Sequence, residues 1–303
     1  MQYFPLFVDT QGLQVLVVGA GEVATRKLDL LSRTDAHIHV IAPVIANDIE
    51  NYHTQARIQL SRREVCRDDI ANVDIIYLAT ADEQLNMEYA ELATEREIWV
   101  NVVDNPKFCR FITPSIVDRG RLVVAISTAG AAPVFARTIR SRLETMLPSS
   151  LTPLFDFVAS KREEVQDKLL AGKDRRLFWE RFFTTNQDKF DTLTEQRFHN
   201  AFQDFSVKGD IILLTEDTPA HLLPIAAMPL LQTLDVVFSD NPLDSEFNEL
   251  LRRDASRETL PLLSDITHQY EHGSRMLIVS SVAKVAQLSA HFPMAKHLRP
   301  GAI

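Results

Sequence analysis

The sequence predicts an α/β protein. A doubly wound parallel sheet comes first, a largely helical stretch follows, and a partial α/β unit closes the chain. Three observations carry this. Between Leu13 and Val103, strand-length apolar runs alternate with helix-length mixed ones. The first such pair is joined by a glycine turn, Gly19-Ala20-Gly21. At Gly209, after a long helical texture, the strand–helix alternation resumes.

Leu13 to Val18 is apolar but for Gln14, as in a strand buried on both faces. Glu22 to Ser32 reads as a helix, with Val23, Leu28, Leu30 and Leu31 among its apolar positions. His37 to Ala42 is a second strand ended by Pro43, and Ile58 to Leu60 a short third. Val73 to Ala79 is a strong fourth strand, Glu83 to Arg96 a helix, and Ile98 to Val103 a fifth strand. Leu122 to Ile126 is one more strand. A loop of small residues, Ser127 to Pro133, leads into a basic helix over Val134 to Met146, closed by Pro148. Leu151 to Phe205 reads as helical, with a break at Gly172. Beyond Gly209, strands are expected over Asp210–Leu214, Val236–Ser239 and Met276–Ser280. Helices are expected over Leu222–Leu231, Ser245–Arg253 and Leu262–His272.

The bulk composition narrows the function classes. A chain of 303 residues has room for about two domains. No apolar run approaches the roughly 20 residues of a membrane span. The start, Met-Gln-Tyr-Phe-Pro-Leu-Phe, has neither the basic region nor the apolar core of a signal peptide. Cys66 and Cys109 are the only cysteines, which suits a reducing cytoplasm better than a disulfide framework. A net charge of −9 speaks against nonspecific nucleic-acid binding. One island has the opposite sign: Lys107, Arg110, Arg119, Arg121, Arg137, Arg140 and Arg142 face a single acid, Asp118. Such an island suits a multiply anionic small molecule, and equally a set of solvated loop and helix charges.

Gly19-x-Gly21-x-x-Ala24 lies between a strand and a helix. In a Rossmann-like fold the first glycine permits the tight turn. The second lets backbone approach a pyrophosphate, and the small third residue lets helix and strand pack. The helix start then offers free N–H groups to phosphates. The second strand ends in Ala42-Pro43-Val44, with no carboxylate for a ribose hydroxyl and no adjacent arginine for a 2′-phosphate. Residue chemistry therefore leaves NAD and NADP both open. Ala79-Thr80-Ala81-Asp82 ends the fourth strand on the same rim. Small residues there let a cofactor cross the sheet, while Thr80 or Asp82 suits a helix cap. Asp104, in Asn101-Val102-Val103-Asp104-Asn105-Pro106, follows the fifth strand at its carboxyl end. A carboxylate there can take a proton as a hydride leaves, and an Asp before Asn-Pro is also a common turn former. In Arg175-Arg176-Leu177-Phe178-Trp179-Glu180-Arg181-Phe182-Phe183 the aromatics share helix faces as core, and the two leading arginines could meet carboxylates. His268 and His272 share a helix face without a third ligand, and no cysteine pair is spaced for zinc, so no metal site is expected.

Four motifs in order resemble the precorrin-2 dehydrogenase/sirohydrochlorin ferrochelatase module of the siroheme synthase family. They are Gly19-Ala20-Gly21-Glu22-Val23-Ala24-x-Arg26-Lys27; Asn101-Val102-Val103-Asp104-x-Pro106; Phe111-Ile112-x-Pro114-Ser115-Ile116; and Phe178-Trp179-Glu180-x-Phe182-Phe183. The resemblance implies a homodimer that passes hydride from precorrin-2 to NAD+, giving sirohydrochlorin. It also implies a second step, insertion of Fe2+ to give siroheme, with Asp104 as the catalytic residue. The implied cofactor contacts are Gly19, Gly21, Glu22, Val23, Pro43, Val44, Ala79, Thr80, Ala81 and Asp82. The substrate carries eight carboxylates, which gives the basic island a purpose. Lys107, Arg110, Arg119, Ser127, Thr128, Arg137 and Arg140 are its candidate contacts. The expected division is 1–113 nucleotide binding, 114–148 dimerisation, 149–208 helical, and 209–303 similar to the start of a uroporphyrinogen-III methyltransferase. In that last part Thr215-Glu216-Asp217-Thr218-Pro219-Ala220-His221 stands where the methyltransferase has a glycine loop. The chain also ends after about half of that module, so no methyl transfer is expected. Neither a nucleic acid nor a membrane is an expected partner. The alternative reading is a tetrapyrrole- or nucleotide-binding regulator with reduced catalysis.

Overall fold

A computed structural model describes residues 2–203 and 209–301, which divide into two compact units, 1–156 and 157–303. The first is built on a five-stranded parallel sheet of β1 (Gln14–Val18), β2 (His37–Ile41), β3 (Gln59–Ser61), β4 (Ile75–Leu78) and β5 (Trp99–Val102), in the order β3-β2-β1-β4-β5. The chain reverses direction across the sheet between β1 and β4, and an open α/β sheet binds ligands at such a point. β1 is apolar and buried from Val15 to Val18 because it is central. Val15 and Val17 face one core with Ile38, Val40 and Tyr77, while Leu16 and Val18 face the other with Ile76, Leu78 and Val100. The helices are α1 (Glu22–Leu31), α2 (Asn47–Thr54) and α3 (Glu83–Glu95). α2 gives no periodic signal in the sequence, because its only buried residue is Ile49.

After β5 a 3-10 turn, Pro106–Phe108, leads to an antiparallel hairpin of β6 (Ser115–Arg119) and β7 (Leu122–Ile126). β7 is an expected strand and β6 is not, because Ser, Asp and Arg interrupt the apolar pattern of β6. Gly120 turns the hairpin at φ +68°, and Asp118 Oδ1 accepts from its N–H at 2.8 Å. α4 (Pro133–Met146) follows, with Pro133 at its first position, where a missing N–H costs nothing.

α5 (Leu151–Lys168) runs into the second unit, which continues with α6 (Gly172–Asn186) and α7 (Thr194–Asn200). The break falls at residues 169–171, and Gly172 opens α6 rather than ending a helix. The last residues of the expected helical stretch, up to Phe205, lie partly outside the described residues. Phe178, Phe182 and Phe198 are wholly buried. Phe178 meets Phe198 edge-on at 5.2 Å, so the aromatic motif is core, as its spacing implied.

The second sheet is also parallel and five-stranded. Its strands are β8 (Asp210–Thr215), β9 (Val236–Ser239), β10 (Ser256–Glu258), β11 (Arg275–Ser280) and β12 (Lys296–His297), ordered β10-β9-β11-β8-β12. Its helices are α8 (Ala227–Leu231), α9 (Ser245–Leu250), α10 (Leu263–Glu271) and α11 (Val282–His291). The expected helix over Leu222–Leu231 is not continuous. A 3-10 turn at Ala220–Leu222 gives way to extended Leu223 (ψ 138°), because the ring of Pro224 disfavours the helical conformation in the residue before it.

Arg175 and Arg176 do not wait for a ligand. Arg175 donates to the Leu169 and Leu170 carbonyls at 3.0 and 2.7 Å. Arg176 pairs bidentately with Asp235, the carboxylate that also accepts from the Arg275 N–H at 3.0 Å. These charges tie α6 to the second sheet.

Candidate active site

The carboxyl ends of β1, β2, β4 and β5 lie along one rim of the first sheet, and each carries a predicted site segment. Gly19 leaves β1 at φ +101°. A Cβ on it would collide with the Ala79 carbonyl, so the turn has space only for glycine. Gly21 behaves differently. Its φ of −90° is open to any residue, and a Cβ on it would meet nothing within 4 Å. The protein itself leaves that space, directly at the start of α1. No side chain caps α1, so the N–H groups of its first turn stay free for an external acceptor. Ala24 is wholly buried, the close helix–strand contact expected of the third small residue. This turn fits a dinucleotide pyrophosphate. Glu22 is exposed and held by Arg26 one helical turn on, and Val23 is exposed beside it.

Pro43 and Val44 are exposed after β2, Val44 strongly so at 81%. After β4 the rim is tightly organised. Asp82 caps α3 by accepting from the Leu85 N–H at 3.0 Å. Thr80 Oγ1 lies 2.7 Å from the Asn86 side-chain oxygen and accepts from the Asp82 N–H at 3.2 Å. Ala79 and Ala81 leave this edge low.

Asp104 is exposed just past β5 and sits at φ +57°. A left-handed aspartate stores local strain, and such residues cluster at functional sites. Its setting is held from below. Cys109 Sγ lies 3.1 Å from the Val102 N–H, and buried Asn101 donates to the Phe111 carbonyl at 3.0 Å. These bonds fold the chain after the 3-10 turn back along β5.

The basic island divides. Lys107 and Arg110 are exposed on the same segment as Asp104. Arg137 is exposed on α4, and Arg140 shares that helix with a loose 3.6 Å pair to Glu144. Arg119 has another task and is withdrawn from the expected substrate contacts. Its guanidinium binds Glu144 at 2.6 Å and the Leu147 carbonyl at 2.7 Å, tying β6 to the end of α4. Ser127 and Thr128 use their hydroxyls to shape the loop, accepting from Ala129 N–H at 3.0 Å and Ala132 N–H at 3.2 Å.

One cluster was absent from the predicted site. Lys27, on α1, donates to Thr113 Oγ1 at 3.1 Å and lies 5.6 Å from the centre of the Tyr77 ring. Burial pushes the lysine pKa below its ordinary value, with the Cys109 thiol and Asp104 acting the other way. Burial likewise raises the Tyr77 phenol, against its bond to Thr113. The sequence signal was the lysine inside the first motif, which had been given no role.

In the second unit the turn after β8 lines a cavity with Ser239, Asn241 and Phe247, and its side chains are held by local hydrogen bonds. Thr215 and Thr218 hydroxyls meet at 2.8 Å, and Glu216 accepts from Asn241 at 2.9 Å. Among the described residues no group of three His, Cys, Asp or Glu side chains gathers to hold a metal, and no helix is long and apolar enough to cross a membrane.

A putative NAD(P)-binding family matches residues 6–115, a sirohaem biosynthesis central family 119–146, and a sirohaem synthase dimerisation region 150–189. The last falls on α5 and α6, beyond the 114–148 segment to which the sequence reading assigned dimerisation. The siroheme synthase of Pseudoalteromonas atlantica is 38% identical over 267 residues, covering 85% of this chain and 58% of that protein. That of Nitrosococcus oceani is 35% identical over 267 residues, covering 85% and 57%. The chain thus spans little more than half the length of these relatives. A solved structure described as SirC, precorrin-2 dehydrogenase, is similar with a TM-score of 0.55 at 23% identity, over 67% of this chain and 100% of that one. At that identity the likeness speaks for the fold.

Proposed function

This chain belongs to the siroheme synthase family, and from that premise we propose that it oxidises precorrin-2 to sirohydrochlorin with NAD+ as acceptor, then inserts Fe2+ to give siroheme. The observation that carries the reading is one rim bearing both parts of the chemistry. It has a glycine turn with unfilled space at Gly21 and, two strands away, an exposed carboxylate at Asp104.

NAD+, when bound, accepts the hydride. Gly21 and the first turn of α1 would hold its pyrophosphate, with Glu22, Val23, Pro43 and Val44 flanking it and Ala79 to Asp82 forming its floor. Asp104 takes the proton that leaves with the hydride, so two hydrogens pass from the macrocycle as hydride and proton. Lys107, Arg110, Arg137 and Arg140 would meet its carboxylates. In the second step Fe2+ is a substrate whose ligands come from the macrocycle nitrogens, and Asp104 receives pyrrole protons.

We further propose that the protein works as a cytoplasmic homodimer. The second unit would not transfer methyl groups, because the turn after β8, Thr215 to His221, has no glycine to let backbone approach a cofactor closely. The test is anaerobic incubation with precorrin-2 and NAD+, following NADH absorbance and the sirohydrochlorin spectrum, then adding Fe2+. Formation of both chromophores supports the reading. A wild-type protein that binds both compounds and forms no NADH overturns it in favour of a regulator.

A further inference from the structure

We propose that Lys27 is a substrate-binding residue that takes a carboxylate of the tetrapyrrole at the edge of the site near Asp104. The inference rests on the proposed function and deepens it. The basic island expected to receive the substrate lies between residues 107 and 142, and Lys27 stands outside it on the nucleotide-side helix.

Lys27 holds an unbalanced charge. An ammonium carries three N–H donors. One goes to Thr113 at 3.1 Å, and the face of Tyr77 lies 5.6 Å away. Among the described residues no carboxylate comes within ion-pair distance of Lys27; the half-buried Arg119 and Arg176 hold Glu144 and Asp235, while the half-buried Arg57 and Arg175 spend their N–H groups on several carbonyls instead. Its neighbour Arg26 is engaged by Glu22. Lys27 therefore carries the cost of desolvation without the partner that normally offsets it, which is the condition in which an anionic ligand binds most favourably. Burial accordingly draws its pKa down, and Asp104 and Cys109 counter this only through space.

Position selects the ligand. Lys27 lies five residues beyond the start of α1, about 7.5 Å along the axis from the N–H groups suited to a pyrophosphate. Tyr77 belongs to β4, the strand between β1 and β5, and Thr113 to the segment that returns from Asp104. The ammonium thus lies over Tyr77, one residue before the end of β4, and close enough to Asp104 for the two charges to influence each other. A substrate bearing eight carboxylates must set at least one near Asp104 when a macrocycle carbon reaches it. Lys27 is suited to receive that group.

The test uses the full-length protein and uroporphyrin III, a stable octacarboxylate macrocycle, with binding followed by absorbance and NAD+ affinity measured separately. Lys27→Met and Lys27→Gln are expected to weaken macrocycle binding about tenfold or more, the scale of one charge-assisted hydrogen bond. Lys27→Arg should retain most of the affinity, and NAD+ binding should stay within twofold in all three. Unchanged macrocycle affinity in Lys27→Met and Lys27→Gln overturns the assignment. So does a loss confined to NAD+, which makes Lys27 a cofactor residue. A wild-type protein with no affinity for the macrocycle refutes the proposed function itself, and this inference falls with it.

Discussion

Gly21→Ala separates a ligand effect from a folding effect more cleanly than any other change at the rim. The residue sits at φ −90° and ψ −167°, and its missing Cβ has no neighbour within 4 Å. Replacing glycine by alanine at a helix N-cap costs about 0.5–1 kcal/mol in cap preference. Reduced freedom of the unfolded chain returns about 0.4–1 kcal/mol. The two nearly cancel, so thermal and denaturant midpoints should match those of the wild type. A pyrophosphate approaching that backbone would meet the new methyl, and NAD+ affinity should fall by about tenfold or more, or 1.4 kcal/mol. Gly19→Ala makes the converse prediction. Its positive φ costs about 1–2 kcal/mol and the collision with the Ala79 carbonyl adds to this. A loss of about 2 kcal/mol lowers Tm by about 4–8 °C in a unit of this size. Calorimetric titration with NAD+ and thermal melting, run on both variants, read the two effects. A Gly21→Ala protein that binds NAD+ like the wild type would refute the placement of the cofactor over this turn.

Other perturbations reach the rest of the account. Asp235→Ala removes the carboxylate shared by Arg176, Arg252 and the Arg275 N–H, and should destabilise the second unit by about 2–3 kcal/mol in urea unfolding. Phe178→Ala empties a fully buried site in the aromatic cluster and should cost about 3–5 kcal/mol by the same measurement. His39 is half-buried against Ser61 at 2.9 Å, and burial holds its pKa below the unfolded value of about 6.5. Its neutral form is the one favoured by folding. Stability should therefore be complete above about pH 6.5 and decline as pH falls through the interval down to the folded pKa, a slope that His39→Gln should remove.

The strands and helices that position the site were legible because their patterns are strong. β1 is apolar on both faces, the glycine turn follows it directly, and Asp104 comes straight after a buried strand. What escaped the reading had weak local signals. α2 buries a single residue, and β6 mixes charge with apolar residues because its hairpin is only half covered. Charge partners were also invisible. Arg119 looked like any other member of the basic island, and only the fold brings Glu144 and the Leu147 carbonyl to it from 25 and 28 residues away. Lys27 shows the reverse case. Its significance lies in a partner it lacks, and that becomes apparent only when Tyr77 and Thr113 are placed around it. The left-handed backbone of Asp104 had no distinct signature beyond the Asp-Asn-Pro turn.

The most direct measurement of the whole account is NADH formation by Asp104→Asn after NAD+ and precorrin-2 binding have each been measured on the same preparation. The account predicts both ligands bound at wild-type affinity with hydride transfer abolished. Turnover at the wild-type rate would show that the carboxylate on this rim takes no part in the reaction.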